Sequence, residues 1–150
     1  MERFIYGRDS FNTRMRIPYT RITIVNLKKP ITREINISLK WLGTSLGLFN
    51  LRDKDKSCFR IFIELLKCAK RKEELTSDEL ARKLKLSRGT IIHHIKKLMD
   101  AGIVTRERNK YSLRANNLTS LIEEIEKDLR RTCDDLKDIA REIDKRLELI

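Results

Sequence analysis

The chain has 150 residues, of which 37% are charged and 6% aromatic, with a formal net charge of +12. This length suits one ordinary domain with an appended arm or helix, and so thin an apolar inventory is often completed by burial in a partner subunit. No run of about 18 apolar residues occurs, which excludes a membrane-spanning helix, and Met1-Glu2-Arg3-Phe4 opens no secretory signal, so a cytoplasmic protein is expected.

Residues 1–50 carry 9 basic and 3 acidic groups. Arg3, Arg8, Arg14, Arg16 and Arg21 make the start strongly basic, as in a flexible arm that meets a polyanion. Ile22-Thr23-Ile24-Val25-Asn26-Leu27 and Glu34-Ile35-Asn36-Ile37-Ser38-Leu39 alternate or run β-branched around a turn-bearing Lys28–Arg33. That pattern predicts a β-hairpin leaning on the body or on a second subunit, because a lone two-stranded hairpin is marginal in water. Lys40 to Leu51, with Gly43 and Gly47, is an apolar connector able to pack on the core.

Residues 51–114 carry 18 basic and 9 acidic groups. From Asp53 to Lys72 the spacing is helical, with Phe59, Ile63, Leu66 and Ala69 as the apolar stripe and Phe62 on its flank. Thr76-Ser77-Asp78-Glu79 is a capping box, with Leu75 and Leu80 placed for a hydrophobic staple, and predicts a short helix ending near Lys85. Ser87 caps a third helix, which stops at Ala101-Gly102, where Gly102 supplies the left-handed residue and Ile103 folds back on Leu98. Two strand-like runs, Ile103–Glu107 and Lys110–Arg114, then flank a bend at Arg108-Asn109, where Asn tolerates a positive φ. Two helices joined by a short turn and followed by a basic hairpin describe a winged helix-turn-helix.

Residues 115–150 reverse the charge, with 7 basic and 10 acidic groups. Leu118, Leu121, Ile125, Leu129, Leu136, Ile139, Ile143, Leu147 and Ile150 fall on one seam of a single helix running to about Leu149. Its spacing is eleven residues from 118 to 129, then seven to 136, 143 and 150, a stutter followed by heptads. The expected role is an interchain coil whose acidity keeps it off the polyanion; a solvated helix packed on its own domain is the competing account. The fold class is thus mainly α with a small β-hairpin wing. Its expected domains are an arm, hairpin and connector (1–50), the winged helix-turn-helix (51–114) and a dimerisation helix (115–150).

On a helical wheel Ile91, Ile95 and Leu98 cluster on one side of the third helix, which must face the core. The opposite side shows Gly89, Thr90, His93, Lys96 and Lys97, with Arg88 and Ile92 flanking near the start. In this fold that side enters the major groove, where hydroxyl, imidazole and ammonium groups meet base edges or phosphates. Ser87, Arg106, Arg108 and Lys110 complete the candidate DNA contacts, although a solvated surface is the bland account of any such charge run. His93 and His94 are adjacent on a helix, point about 100° apart and cannot chelate one ion. His93 is therefore assigned to DNA and His94 to structure.

The segment Leu86-Ser87-Arg88-Gly89-Thr90-Ile91-Ile92-His93-His94-Ile95-Lys96-Lys97-Leu98-Met99-Asp100-Ala101-Gly102-Ile103-Val104 resembles the recognition region of ArsR-type winged-helix repressors. With Leu75–Leu84 matching the preceding helix, the resemblance covers about 40 of the 150 residues and leaves the first fifty outside it, as in an archaeal-style regulator with an unusual arm. The resemblance implies a dimeric repressor on an inverted repeat, often with terminal helices in the dimer interface. Two departures matter. Ile92 stands where the family usually has Ser, which trades a polar reader for an apolar contact suited to a thymine methyl. The Cys-x-Cys and last-helix His ligands of metal-sensing members are missing, so no metal or other cofactor is expected.

The three cysteines, Cys58, Cys68 and Cys133, are odd in number and widely spaced, which predicts free thiols rather than a disulfide framework or a zinc site. There is no Gly-rich phosphate loop, nucleophile elbow or paired His-Glu metal signature, so no enzyme is expected. The expected function is a homodimeric, sequence-specific regulator that binds double-stranded DNA. Its alternatives are an architectural binder with little sequence preference and a protein–protein assembly module.

Overall fold

A computed structural model describes residues 19–49 and 56–150. Its element order is α1 (Ile35–Ser45), α2 (Ser57–Lys70), β1 (Leu75–Thr76), α3 (Ser77–Leu84), α4 (Arg88–Asp100), β2 (Val104–Glu107), β3 (Lys110–Leu113) and α5 (Leu118–Arg146). The three strands form one antiparallel sheet in the order β1-β3-β2. This is a winged helix-turn-helix with a long C-terminal helix.

Capping fixes the helix-turn-helix locally. Thr76 accepts from the Glu79 amide while the Glu79 carboxylate accepts from the Thr76 amide, so both halves of the capping box form. The Ser87 hydroxyl accepts from the Thr90 amide at 3.1 Å. Between α3 and α4 lie only Lys85, Leu86 and Ser87, with Lys85 in the left-handed region at φ 55°. The Arg60 guanidinium donates to the Leu84 carbonyl at 2.6 Å, so α2 holds one of the carbonyls left open where α3 ends. At the end of α4, Gly102 has φ +74° and the Ile103 amide donates to the Leu98 carbonyl at 3.0 Å. That is the left-handed stop which the sequence marked.

The core gathers Ile61, Phe62 and Leu65 of α2, Leu80 of α3, Ile91, Ile95 and Leu98 of α4, Ile103, and Leu121 of α5. The buried side of α2 differs from expectation: Cys58, Ile61, Phe62, Leu65 and Cys68 are inside, while Phe59, Ile63, Leu66 and Ala69 are only partly covered. Nearly every position of this helix outside its few charged residues is apolar, so periodicity alone did not single out a face.

The expected N-terminal hairpin does not form. Residues 19–34 are neither helix nor strand, and the second proposed strand lies within α1. Alternation across Glu34–Leu39 was outweighed by the helical spacing of Leu39, Leu42 and Leu46, which brings Leu42 and Leu46 onto the core. The first segment runs instead as a strap. The Arg21 amide donates to the Asp100 carbonyl at 2.6 Å and the Val25 amide to the Ser45 carbonyl at 2.7 Å. The arm residues Arg3, Arg8, Arg14 and Arg16 lie outside the described residues, as do the first residues of the Asp53–Lys72 prediction.

The hairpin tip is also corrected in detail, since the positive φ falls on Arg108 (58°) and not on Asn109. Sequence patterning missed β1, which pairs Leu75 with Tyr111 and Thr76 with Lys110 and thereby ties the start of α3 to the wing. Two residues are too short a run to carry a period.

Helix α5 is capped by Asn117, whose side chain accepts from the Ser120 amide at 2.8 Å. Its 29 residues span about 43 Å. Leu121 and Ile125 are buried in the subunit's own core, and Leu118 packs against it. These three therefore pack within their own subunit. Beyond them Leu129, Leu136, Ile139, Ile143 and Leu147 are exposed, Leu136 at 64% and Ile139 at 57%. Cys133 is half-buried, whereas Cys58 and Cys68 are buried.

One polar cluster sets how α5 leaves the body. Arg114, just after β3, donates from both terminal nitrogens to the Asp128 carboxylate and reaches the Gly102 carbonyl at 3.4 Å and Glu124 at 3.5 Å. Arg131 also donates to Asp128. The Arg114 hydrogen bond, with help from Arg131, holds the Asp128 carboxyl below its ordinary value of 3.8 despite partial burial. A depressed carboxylate pKa stabilises the fold fully above the unfolded value, and the contribution fades as pH falls through the folded one. Acid melts should therefore show the wild type losing stability from about pH 4 downward, while Asp128→Asn starts lower and loses less over that window. Parallel acid titrations of the two proteins by circular dichroism would sink this assignment.

Candidate nucleic-acid interface

Helix α4 is anchored by Ile91, His94, Ile95 and Leu98, all buried. Burying these four turns the opposite face outward, and there Arg88, Gly89, Ile92, His93, Lys96 and Lys97 are exposed, with Thr90 half-buried beside them. His94 lies inside with its ring 5.2 Å from that of His93, edge to face. The helical wheel therefore sorted the two sides correctly, and the outward side carries cations, an imidazole and one isoleucine.

The candidate residues are not equivalent. The Ser87 hydroxyl already caps α4 and sits 2.8 Å from the Thr90 hydroxyl, so both are committed to the helix start in the free protein. Arg88 lies 3.6 Å from Asp78 of α3, with both side chains largely exposed. Such a surface pair contributes at most about 1 kcal/mol, so a phosphate or a guanine edge can draw Arg88 away cheaply. Ile92 is 41% exposed on the flank of this face, an apolar side chain left partly in solvent.

Gly89 has no internal reason to be glycine. A Cβ built there meets nothing within 4 Å, so the gap opens only to solvent. A helical Gly costs roughly 0.5–1 kcal/mol relative to Ala, which the free protein would regain on substitution. Gly89→Ala should thus leave thermal stability equal or slightly higher while lowering affinity for duplex DNA. Unchanged DNA affinity in a fluorescence-anisotropy titration would remove Gly89 from the interface.

The wing is built differently from its simple charge count. Arg106 Nε donates to the Arg108 carbonyl at 2.8 Å and its Nη2 to the Asn109 side chain at 3.2 Å, so Arg106 braces the tip. Arg108 and Lys110 remain exposed and without ion pairs among the described residues. The strap adds a residue that the motif did not include: the Arg21 amide donates to the last carbonyl of α4, and Arg21 lines one cavity together with Lys97. No local signal links Arg21 to α4, because the contact joins residues some eighty apart.

Among the described residues no group of three or more His, Cys, Asp or Glu side chains is placed to hold a metal ion. Nor is any of their helices long and apolar enough to cross a membrane. A search among curated proteins found no match to the chain. Residues 63–105 match a winged helix-turn-helix DNA-binding family, a span running from within α2 through α3 and α4 into β2. The fold is that of a winged helix-turn-helix, and over the matched span the sequence is similar to winged helix-turn-helix DNA-binding domains.

Proposed function

We propose that the protein is a homodimeric, sequence-specific transcriptional regulator of ArsR-like type, acting as a repressor on an inverted repeat. The observation that carries this reading is the outward face of α4. It joins the weakly tethered Arg88, an open Gly89, the exposed Ile92 and His93, and the Lys96–Lys97 pair on one rigid helix. In a dimer two such helices enter successive major grooves about 34–36 Å apart, with Arg88, Thr90, Ile92, His93 and Lys97 against base edges. Ser87, Lys96, Arg108 and Lys110 face the backbone, and Arg106 joins them once its tip bonds open. The exposed half of the α5 seam, from Leu129 to Leu147, supports the dimer.

Selection of bound sequences from a random duplex pool at about 150 mM salt tests the proposal. An enriched inverted repeat is the expected result, and affinity should fall steeply with salt as phosphate counterions are released. Retention without enrichment would point to an architectural binder, and no retention would leave the domain as an assembly module; either result overturns the repressor.

A further inference from the structure

A cavity of about 210 Å³ lies against the last turn of α4, between the strap, the end of α1 and the start of α2. Leu46, Leu48 and Leu98 give it an apolar floor. Among the described residues Arg21 and Lys97 bring two positive charges to its wall and Asp100 brings one negative charge. Among the described residues none of these three forms an ion pair, so both cations have donors to spare. The strap is held firmly at this place: besides the Arg21 and Val25 backbone bonds, a Cβ on Gly47 would come within 2.7 Å of the Thr23 methyl.

We infer that this cavity is an effector site for a small monocarboxylate with a short aliphatic body. The carboxylate accepts hydrogen bonds from the Arg21 guanidinium and the Lys97 ammonium, and the hydrocarbon lies on the leucine floor. Two cations and one carboxylate among the described lining residues match one carboxylate, whereas a phosphate dianion would leave one negative charge unmatched beside Asp100. An inorganic anion would leave the apolar floor uncovered. A concave apolar site with a few convergent polar groups is also the ordinary form of a small-molecule pocket.

Occupancy neutralises Lys97, which the proposed function places on the DNA. Bound carboxylate therefore lowers DNA affinity. This regulatory half rests on the DNA-binding reading; the binding half does not.

Titrating the full-length protein without DNA with hexanoate, and separately with hexan-1-ol, tests the site by calorimetry and backbone NMR shifts. Hexanoate should bind saturably in the range of about 1 mM, with shifts at Tyr19–Thr23 and Lys97–Ala101, and hexan-1-ol roughly tenfold more weakly. Arg21→Gln replaces an exposed side chain and keeps the backbone bond, so the fold is safe; it should weaken hexanoate roughly tenfold. Equal binding of the alcohol, an unaffected Arg21→Gln, or no saturation by about 10 mM overturns the site. Saturating hexanoate should then weaken the selected duplex by roughly tenfold; unchanged affinity overturns the regulation. A protein that binds hexanoate but no duplex keeps the carboxylate site and refutes only the DNA-binding reading.

Discussion

Replacing Leu136, Ile139 and Ile143 together by aspartate is expected to yield a monomer and to cut affinity for a two-half-site duplex by about 10²–10⁴-fold. These side chains lie beyond Ile125, the last seam residue that the body buries, and they are 64%, 57% and 49% exposed. Burying such a Leu or Ile stabilises an interface by about 1.5–3 kcal/mol each, and a carboxylate in the same place costs several more. They touch none of the head's core, so melting of the winged helix itself should change little. Two heads held on one coil bind a second half-site intramolecularly, and separating them removes that gain without altering a single DNA contact. Sedimentation velocity and anisotropy on the same duplex measure both effects. A triple variant that still sediments as a dimer would place the interface elsewhere, with the exposed Ile24, Ile31, Ile35 and Ile37 around the strap and α1 as the next surface to alter.

Arg88→Ala and His93→Ala are each expected to cost about 1–3 kcal/mol on the preferred sequence and much less on unrelated duplex, flattening the preference. Both side chains stand on the outward face of α4, one weakly tethered to Asp78 and the other at the ring edge of buried His94. Neither contributes to the core, so loss of affinity reports on the interface and not on folding. Lys96→Ala is the contrasting variant: a phosphate contact weakens every sequence alike and reduces the salt slope by about one. An unchanged preferred site in both the Arg88 and His93 variants would show that other residues read the bases.

Legibility of the sequence followed the range of the forces involved. The helix-turn-helix rests on contacts within a few residues: the Thr76 to Glu79 box, the Ser87 cap and the Gly102 stop. Each is written in the local sequence, because a capping group must lie within one turn of the amide it satisfies. The outward face of α4 was legible for the same reason, since Ile91, Ile95 and Leu98 fix the phase of thirteen residues. The N-terminal segment was not. Six residues of alternation describe a strand or the start of a helix equally well, and the choice fell to Leu42 and Leu46 finding the core.

What the sequence alone determined is the helix-turn-helix: which of its helices form, where they stop and which side of α4 faces outward. Tertiary structure decided which stripe of α2 is buried, that β1 joins the wing, that the strap closes on α4 through Arg21 and Asp100, and where α5 leaves the body at the Arg114–Asp128 pair. Those outcomes depend on surfaces far apart in the chain competing for the same apolar side chains. A periodic pattern shows that a face will be buried, and only the folded neighbours determine against what.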